Sequence, residues 1–455
     1  MPGFDLGRVV QNKDNPAQAE ISEPRCSWWM SRRTNRAVLS RKCSPYFSSP
    51  PMVTTADQNL VRKFNTAVAI NTLRHRAPLS RAELASTTGL NRSTVSSIVN
   101  QLLAEGLVQE TIFQSYRVGR PGLLLELNPA GGFAVGVELG VDFISLVVTD
   151  FVANVLWRQR VQSDPADGQS TILERAFNMT HRALDEGNGR GLRPLGIGLG
   201  VPGLVDLAHG ELKFAPNLGW RNLPLRQQWT QEFNLPVFVE NDAKASALGE
   251  YYFGVARGLH DFIYLIAGVG LGAGIMIDGK LFRGSHGYAS EVGHMIIDPN
   301  GELCGCGKRG CWETLVGPRA VIRRFQQTLR AGVPSTVLHA GSNDLANVTF
   351  EDVADAAAQG DAAALAAMQE GGASLGLGIA NLVNIFNPQM VVLGGALAYA
   401  SEILLPVIEK VVAANAMSIP CEDLKIAASA HGPNACVIGA ATLVLDNILR
   451  EPNFV

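Results

Sequence analysis

The densest run of reactive side chains is His294, Cys304, Cys306 and Cys311, spaced His-x9-Cys-x-Cys-x4-Cys. Three thiols so close together, interleaved with Gly305, Gly307 and Gly310, suit a knuckle that wraps a tetrahedral Zn²⁺, with the imidazole as fourth ligand. Four protein ligands leave no open position, so such an ion would be structural. Reduced free cysteines are the alternative. Against that stand the sparseness of cysteine, seven in 455 residues, and the glycines that give the loop its turns.

Around the knuckle lie carboxylates and amides: Asn217 after Ala215-Pro216, the run Glu240-Asn241-Asp242, Glu291 before His294, and Glu313 after Cys311. Sugars are held by carboxylates and amides against vicinal hydroxyls, so this is suitable chemistry for a hexose pocket. Each residue alone is equally a helix cap or a surface charge. Two glycine runs, Gly196 to Gly203 and Gly268 to Gly274, would let backbone amides approach a phosphate or a sugar ring. By themselves they are equally tight strand packing.

Elements that would position these groups follow from periodicity. Gly132 to Asp150 reads as strand, glycine turn, strand, and similar units recur near Leu195, Ile263 and Met390 with helical stretches between, which predicts α/β layers. A length of 455 residues with 47% hydrophobic content supports several cores. The longest apolar stretches, Phe133 to Phe151 and Ile379 to Ala400, are interrupted by charges or asparagines, so no membrane span is expected. Without a secretory signal pattern the chain is expected in the cytoplasm, where clustered cysteines mean metal rather than disulfides.

The net charge of -3 conceals an asymmetry. Residues 1–51 carry +4, residues 52–127 carry +3, and the remainder carries -10, a modestly basic front before an acidic body. Residues 1–51 show no helical or strand period and read as a disordered arm or a mis-assigned start, with a DNA-following arm as the functional alternative. From about Asp57 to Arg74 an amphipathic helix is predicted with Val61, Phe64 and Val68 as its stripe. Ser80-Arg81-Ala82-Glu83 is a capping box opening a second short helix, Gly89 supplies a turn, and Asn91 caps a third helix with Val95, Ile98, Val99 and Leu102 facing the core.

The opposite face of that third helix carries Arg92, Ser93, Thr94, Ser96, Ser97 and Asn100, with Asn91 at its start. Short polar side chains with an arginine at the N-terminal end suit insertion into a major groove. A solvated helix face is the plainer alternative, made less attractive by three helices followed by a hairpin. Leu107 to Glu110 and Leu123 to Leu127 predict the hairpin strands, and the connection holds Arg117 and the tip Gly119-Arg120-Pro121. As a wing, this tip would place Arg117 and Arg120 on phosphate or in a narrow minor groove.

Taken together, Met52 to Val455 resembles the ROK family (repressor, open reading frame, kinase), in its DNA-binding repressor branch. The resemblance is carried by Glu-Val-Gly-His at 291–294, Cys-Gly-Cys-Gly-Lys-Arg-Gly-Cys-Trp-Glu at 304–313, Glu-Asn-Asp-Ala at 240–243 and Gly-Val-Gly-Leu-Gly-Ala-Gly at 268–274. It implies a winged helix-turn-helix over 52–128 and, over 129–455, an α/β, actin-like/hexokinase-like two-lobed ATPase fold. It further implies that Asn241, Asp242, Glu291, His294 and Glu313 contact a sugar, His294 using one ring nitrogen for zinc and the other for a hydroxyl. In the family's kinases the aspartate matching Asp242 is the catalytic base toward the attacking hydroxyl.

One departure bears on activity. Where the kinases carry Asp-x-Gly-Gly-Thr, this chain has Glu138-Leu139-Gly140-Val141-Asp142, which places a side chain and a negative charge where amides would meet phosphate. Poor ATP binding is expected. The reading is a sugar-responsive repressor, assembled as a homodimer or homotetramer on double-stranded operator DNA and answering to a sugar or sugar phosphate. An ATP-dependent sugar kinase with an accessory DNA-binding domain is the alternative, and a partner-protein scaffold built on the zinc knuckle is a third.

Overall fold

The computed structural model describes residues 57–113, 122–337 and 347–450. The basic arm, Trp28-Trp29, Met52, and Arg117 and Arg120 of the expected wing lie outside the described residues.

The chain opens with three helices, α1 (Gln58–Arg76), α2 (Arg81–Thr88) and α3 (Arg92–Ala104), then the antiparallel pair β1 (Val108–Phe113) and β2 (Gly122–Leu127). The expected caps form. Ser80 Oγ accepts from the Glu83 amide at 3.2 Å while Glu83 returns a bond to the Ser80 amide at 2.8 Å. Asn91 Oδ1 accepts from the Thr94 amide at 2.9 Å. Val95, Ile98, Val99 and Leu102 are all buried, as their spacing requires.

The first helix departs from expectation. Val61 and Phe64 are 43% and 67% exposed, and the buried stripe is Thr66, Ala69, Ile70 and Leu73. Both sets satisfy spacings of 3 and 4, so periodicity alone could not choose between two adjacent stripes. Tertiary contacts with α2, α3 and the C-terminal helix make the choice.

The body contains two five-stranded sheets of the same plan. In the first, β3 (Phe133–Leu139) pairs antiparallel with β4 (Phe143–Asp150), which pairs with β5 (Val155–Gln162); on its other side β3 runs parallel to β6 (Pro194–Val201), itself parallel to β10 (Val237–Asn241). Between them come α4 (Gln169–Asn188), a small sheet of β7 (Leu204–Asp206), β8 (Glu211–Ala215) and β9 (Trp220–Leu223), and α5 (Leu225–Phe233). After α6 (Asp242–Phe253), the second sheet repeats the plan with β11 (Phe262–Ala267), β12 (Leu271–Ile277), β13 (Lys280–Leu281), β14 (Met390–Gly395) and β15 (Lys425–Ala428). Its helices are α7 (Glu313–Val316), α8 (Pro318–Arg330), α9 (Phe350–Ala358), α10 (Ala362–Phe386), α11 (Ala396–Tyr399), α12 (Ser401–Asn415) and α13 (Ser418–Cys421).

The final helix, α14 (Ala435–Arg450), packs on β3, β6 and α6 and so ties the two halves together. Approach is close enough to demand glycine: a Cβ on Gly198 would lie 1.8 Å from the Ala440 carbonyl oxygen, and one on Gly439 1.9 Å from that of Ala245. The run Gly196 to Gly200 therefore serves strand-on-helix packing rather than ligand approach. By length and composition Gly432–Arg450 could cross a membrane, yet 67% of it is buried within the protein, as a core helix should be. Two duplicated sheets around a cleft, joined by buried helices, define the actin/hexokinase-like fold.

Helix α1 is fastened to this body. Asn71 Nδ2 donates to the Leu449 carbonyl at 2.8 Å, and Arg257 donates to that of Arg74 at 2.9 Å. One continuous core runs from Ile70 and Leu102 through Tyr251 to Val444.

Candidate functional site

The cysteine knuckle folds on itself through backbone bonds. The Cys304 amide donates to the Lys308 carbonyl at 2.8 Å, Gly307 to Cys304 at 2.9 Å, and Gly310 to Glu302 at 2.8 Å. Gly307 and Gly310 take φ of 85° and 69°, the left-handed backbone that their type permits. The result gathers all four expected ligands: His294, Cys304, Cys306 and Cys311 offer atoms within 4.8 Å of one another. Cys304 Sγ lies 3.6 Å from His294 Nδ1, and Cys306 Sγ 3.6 Å from Cys311 Sγ. Those edges suit a tetrahedron with ligand bonds of about 2.0–2.3 Å. The donor set therefore fits zinc. Nδ1 faces the thiols, which turns Nε2 away from them.

Glu313 carries the knuckle into the cleft. Its Oε1 accepts from Cys304 at 2.7 Å and lies 3.5 Å from His294 Nδ1. Its Oε2 faces the glycine loop, where a Cβ on Gly270 would come within 2.7 Å. Gly272 and Gly274 instead lie in β12 against Ala243 and Ala247 of α6, so only the front of that run is free of packing duties. Trp312, fully buried, anchors the same stretch by donating to the Ser374 carbonyl at 3.0 Å.

Opposite stands the junction of β10 and α6. Asn241 caps α6: its Oδ1 accepts from the amides of Ala243 at 3.1 Å and Lys244 at 3.2 Å, while its Nδ2 donates to the Gly203 carbonyl at 3.2 Å and to Asp242 Oδ1 at 2.8 Å. Asn241 is thus 9% exposed and committed to structure. Asp242 remains partly open to the cleft. Burial by surrounding protein pushes its carboxyl up to about 6, against the Ala243 amide that it accepts, and the negative charge of Glu291 adds to the rise. Glu291 is exposed, with Lys244, His294 and Glu313 as neighbours. Asn217 stands on the exposed turn between β8 and β9; Ala215, at the start of that turn, packs on Gly203, whose carbonyl holds Asn241.

Three charged groups in this region escaped the sequence reading as members of the site. Glu138, in β3, is 7% exposed, and burial together with the nearby Asp242 charge pushes it up to about 8. Arg283 pairs with buried Glu240 at 2.9 Å, and Lys244 Nζ donates to the Gly287 carbonyl at 2.7 Å. A glutamate inside an otherwise apolar strand was the one available signal, since a buried charge needs a reason. In the turn that follows, Val141 packs partly on the first lobe's core and Asp142 is exposed.

On α3, Asn91, Arg92, Ser93, Ser97 and Asn100 are exposed and Thr94 and Ser96 are half-buried. Three of them have internal partners: Ser93 Oγ donates to Asn91 at 2.8 Å, Asn91 also capping the helix, and Asn100 accepts from Arg81 at 2.9 Å.

The fold and the paired carboxylate and metal clusters define a protein of the sugar-kinase-like class. The ROK family model matches residues 134–447, and a MarR family model matches residues 64–112. The chain belongs to the ROK family. It is 34% identical over 398 residues to a xylose repressor from Caldicellulosiruptor bescii, covering 88% of this chain and 99% of that one. It is 30% identical over 386 residues to an N-acetylglucosamine repressor of Escherichia coli O157:H7, covering 85% and 93%. Among solved structures, a ROK family transcriptional regulator described as a homolog of the E. coli MLC protein superposes with a TM-score of 0.74 at 29% identity, covering 86% and 97%. A ROK glucokinase from Streptomyces griseus, solved with glucose and AMPPNP, gives 0.61 at 34% identity, covering 69% and 99%.

Proposed function

We propose that this chain is a sugar-responsive transcriptional repressor, with residues 52–128 as a winged helix-turn-helix that binds operator DNA and residues 129–455 as the sensor. The carrying observation is coverage. The xylose repressor is matched over 99% of its length by 88% of this chain, whereas the glucokinase is matched over 99% by only 69%. The ROK family match, residues 134–447, leaves out α1 to α3, whose exposed polar face offers Arg92 and Ser93 at a helix start, as groove-reading helices do.

In the sensor, Asp242, Glu291, His294 and Glu313 would meet sugar hydroxyls. Zinc, held by His294, Cys304, Cys306 and Cys311, would supply structure and hold the imidazole in place. Asn217, on its exposed turn, would reach the sugar only as the cleft closes. Val141 and Asp142 disfavour a bound nucleotide, so the domain would sense rather than catalyse. Closure of the cleft would alter the spacing of two DNA-binding units in a homodimer or homotetramer on a palindromic site, and a coupling of about 1–3 kcal/mol would suffice for regulation. Reading chromosomal operators is cytoplasmic work.

The test is thermal unfolding of the zinc-loaded protein against free and phosphorylated sugars, with and without ATP, joined to release of a duplex selected from random DNA. One sugar that raises the midpoint without ATP and releases the duplex is the expected result. Retention of Asp242 favours a second reading, an active kinase; ADP release with any sugar of the panel would establish it and displace the sensor.

A further inference from the structure

We infer that Arg74 couples the cleft to the three-helix segment α1 to α3. Helix α1 lies across the seam between α6 and α14, so a shift of one half of the body against the other reaches that segment through this side chain. The inference rests on the sensor reading above and gives that site its regulation.

Each half carries its own connecting helix. On the first sheet lies α14: a Cβ on Gly136 would stand 2.1 Å from the Val437 carbonyl oxygen, and one on Gly198 1.8 Å from that of Ala440. On the second sheet lies α6, where a Cβ on Gly274 would come within 2.5 Å of Ala247 Cβ and 2.7 Å of the Ala243 carbonyl oxygen. The layers therefore run first sheet, α14, α6, second sheet. Where α6 meets α14 the facing residues are small: Gly249 stands against Gly439, and Gly439 against Ala245. Close-packed halves move as bodies rather than by deforming their cores, so opening or closing of the cleft has to slide or turn α6 on α14. Small residues at the crossing leave no interlocking side chains to block that motion.

Both helices end on α1. From the α14 side, the Leu449 carbonyl accepts from Asn71 Nδ2 at 2.8 Å; Leu449 lies ten residues past Gly439, about 15 Å along the helix from the crossing. From the α6 side, Tyr252 and Tyr251 receive the Arg74 guanidinium at 3.8 Å and 5.5 Å, and Arg257, just past α6, donates to the Arg74 carbonyl at 2.9 Å. Asn71 and Arg74 are three residues apart and so neighbours on the helix surface. The C-terminal end of α3 is held to the first half, where Arg193 donates to the Gly131 carbonyl at 3.1 Å and to that of Glu105 at 3.5 Å. With α3 fixed to the first half and α1 gripped by both, a shift of α6 pulls on Arg74. That residue is 8% exposed, and its Nε and Nη1 have no hydrogen-bond partner among the described residues, so the ring faces carry the grip. An effector that favours one arrangement of the halves then favours one placement of α1, which is what regulation of DNA binding requires.

The test uses the full-length, zinc-loaded chain and an Arg74→Met variant, which fills the same space without a charge to hold over either ring. Affinity for the duplex selected from random DNA is measured by fluorescence anisotropy, alone and with an excess of xylose, glucose or N-acetylglucosamine. In the natural chain at least one sugar is expected to weaken the duplex by about tenfold or more, within the usual range of coupling. In Arg74→Met the sugar affinity and the sugar-free duplex affinity are expected within about threefold of the natural values, while the effect of sugar on the duplex falls to about twofold or less. A variant that keeps the natural effect of sugar overturns the inference and leaves the sensor reading standing. So does a folded variant that has lost the duplex even without sugar, for Arg74 would then be a structural brace. Should Arg74→Met fail to fold, hydrogen exchange of the natural chain decides: sugar is expected to change the protection of residues 70–77 and 249–257, and unchanged protection there overturns the inference. A natural chain whose duplex affinity no sugar of the panel alters overturns the sensor reading, and the inference with it.

Discussion

Arg74, near the end of the first helix, lays its guanidinium 3.8 Å from the centroid of the Tyr252 ring at the far end of α6. Tyr251 receives the same cation at 5.5 Å, and Arg74 is only 8% exposed. The helix that begins at Asn241 and Asp242 in the cleft therefore ends against the three-helix segment. Tyr252 in turn donates its hydroxyl to Asp446 of α14. Arg74→Ala should lower the unfolding free energy by about 2–3 kcal/mol through lost packing and a desolvated cation–π contact. Arg74→Met should recover most of it, because Nε and Nη1 have no partner to lose. Calorimetric unfolding of both variants checks this; equal destabilisation by the two would show that the charge, not the packing, matters.

Glu138 gives a pH signature. Its folded value is raised from an ordinary 4.5 to about 8, so its contribution to stability is complete below about 4.5 and is lost as pH rises through about 8. The ligand-free midpoint should fall between about pH 4.5 and about pH 8 and level off above it, and Glu138→Gln should flatten that fall. A difference on the order of a few kcal/mol between the two curves is expected across that window. Parallel curves would mean that Glu138 titrates normally.

Removal of the metal should loosen the segment that follows the knuckle. Cys306 is the exposed ligand, so Cys306→Ser disturbs the core least. It should reduce bound zinc from about one ion per chain to a small fraction, and should abolish the sugar-induced rise in midpoint, because Glu313 is held through Cys304 and His294. Zinc content by atomic absorption, read beside the thermal shift, checks both halves. A normal sugar response without zinc would separate the two sites.

Arg92→Ala should leave stability within about 0.5 kcal/mol, since the side chain is exposed, yet weaken binding to the selected duplex by about 1–3 kcal/mol. Fluorescence anisotropy at two salt concentrations distinguishes a base contact from a phosphate contact, because only the latter reduces the salt slope. Unchanged affinity would remove Arg92 from the interface.

Local chemistry was legible in the sequence. The capping box at Ser80 and Glu83, the cap at Asn91, the core face of α3 and the four ligands of the knuckle all follow from residue type and short spacing. These features close over a few residues, and their partners are written next to them. The tertiary structure decided what spacing leaves degenerate. It chose Thr66, Ala69, Ile70 and Leu73 over Val61 and Phe64 as the buried stripe, because two adjacent faces fit one period and only neighbouring helices distinguish them. It turned Gly196 to Gly200 into a packing surface for α14, a partner more than two hundred residues away. It also set Glu138 of β3 two strands from the β10–α6 junction that carries Asp242, within one sheet, a juxtaposition fixed by long-range strand order, on which a linear reading has no purchase.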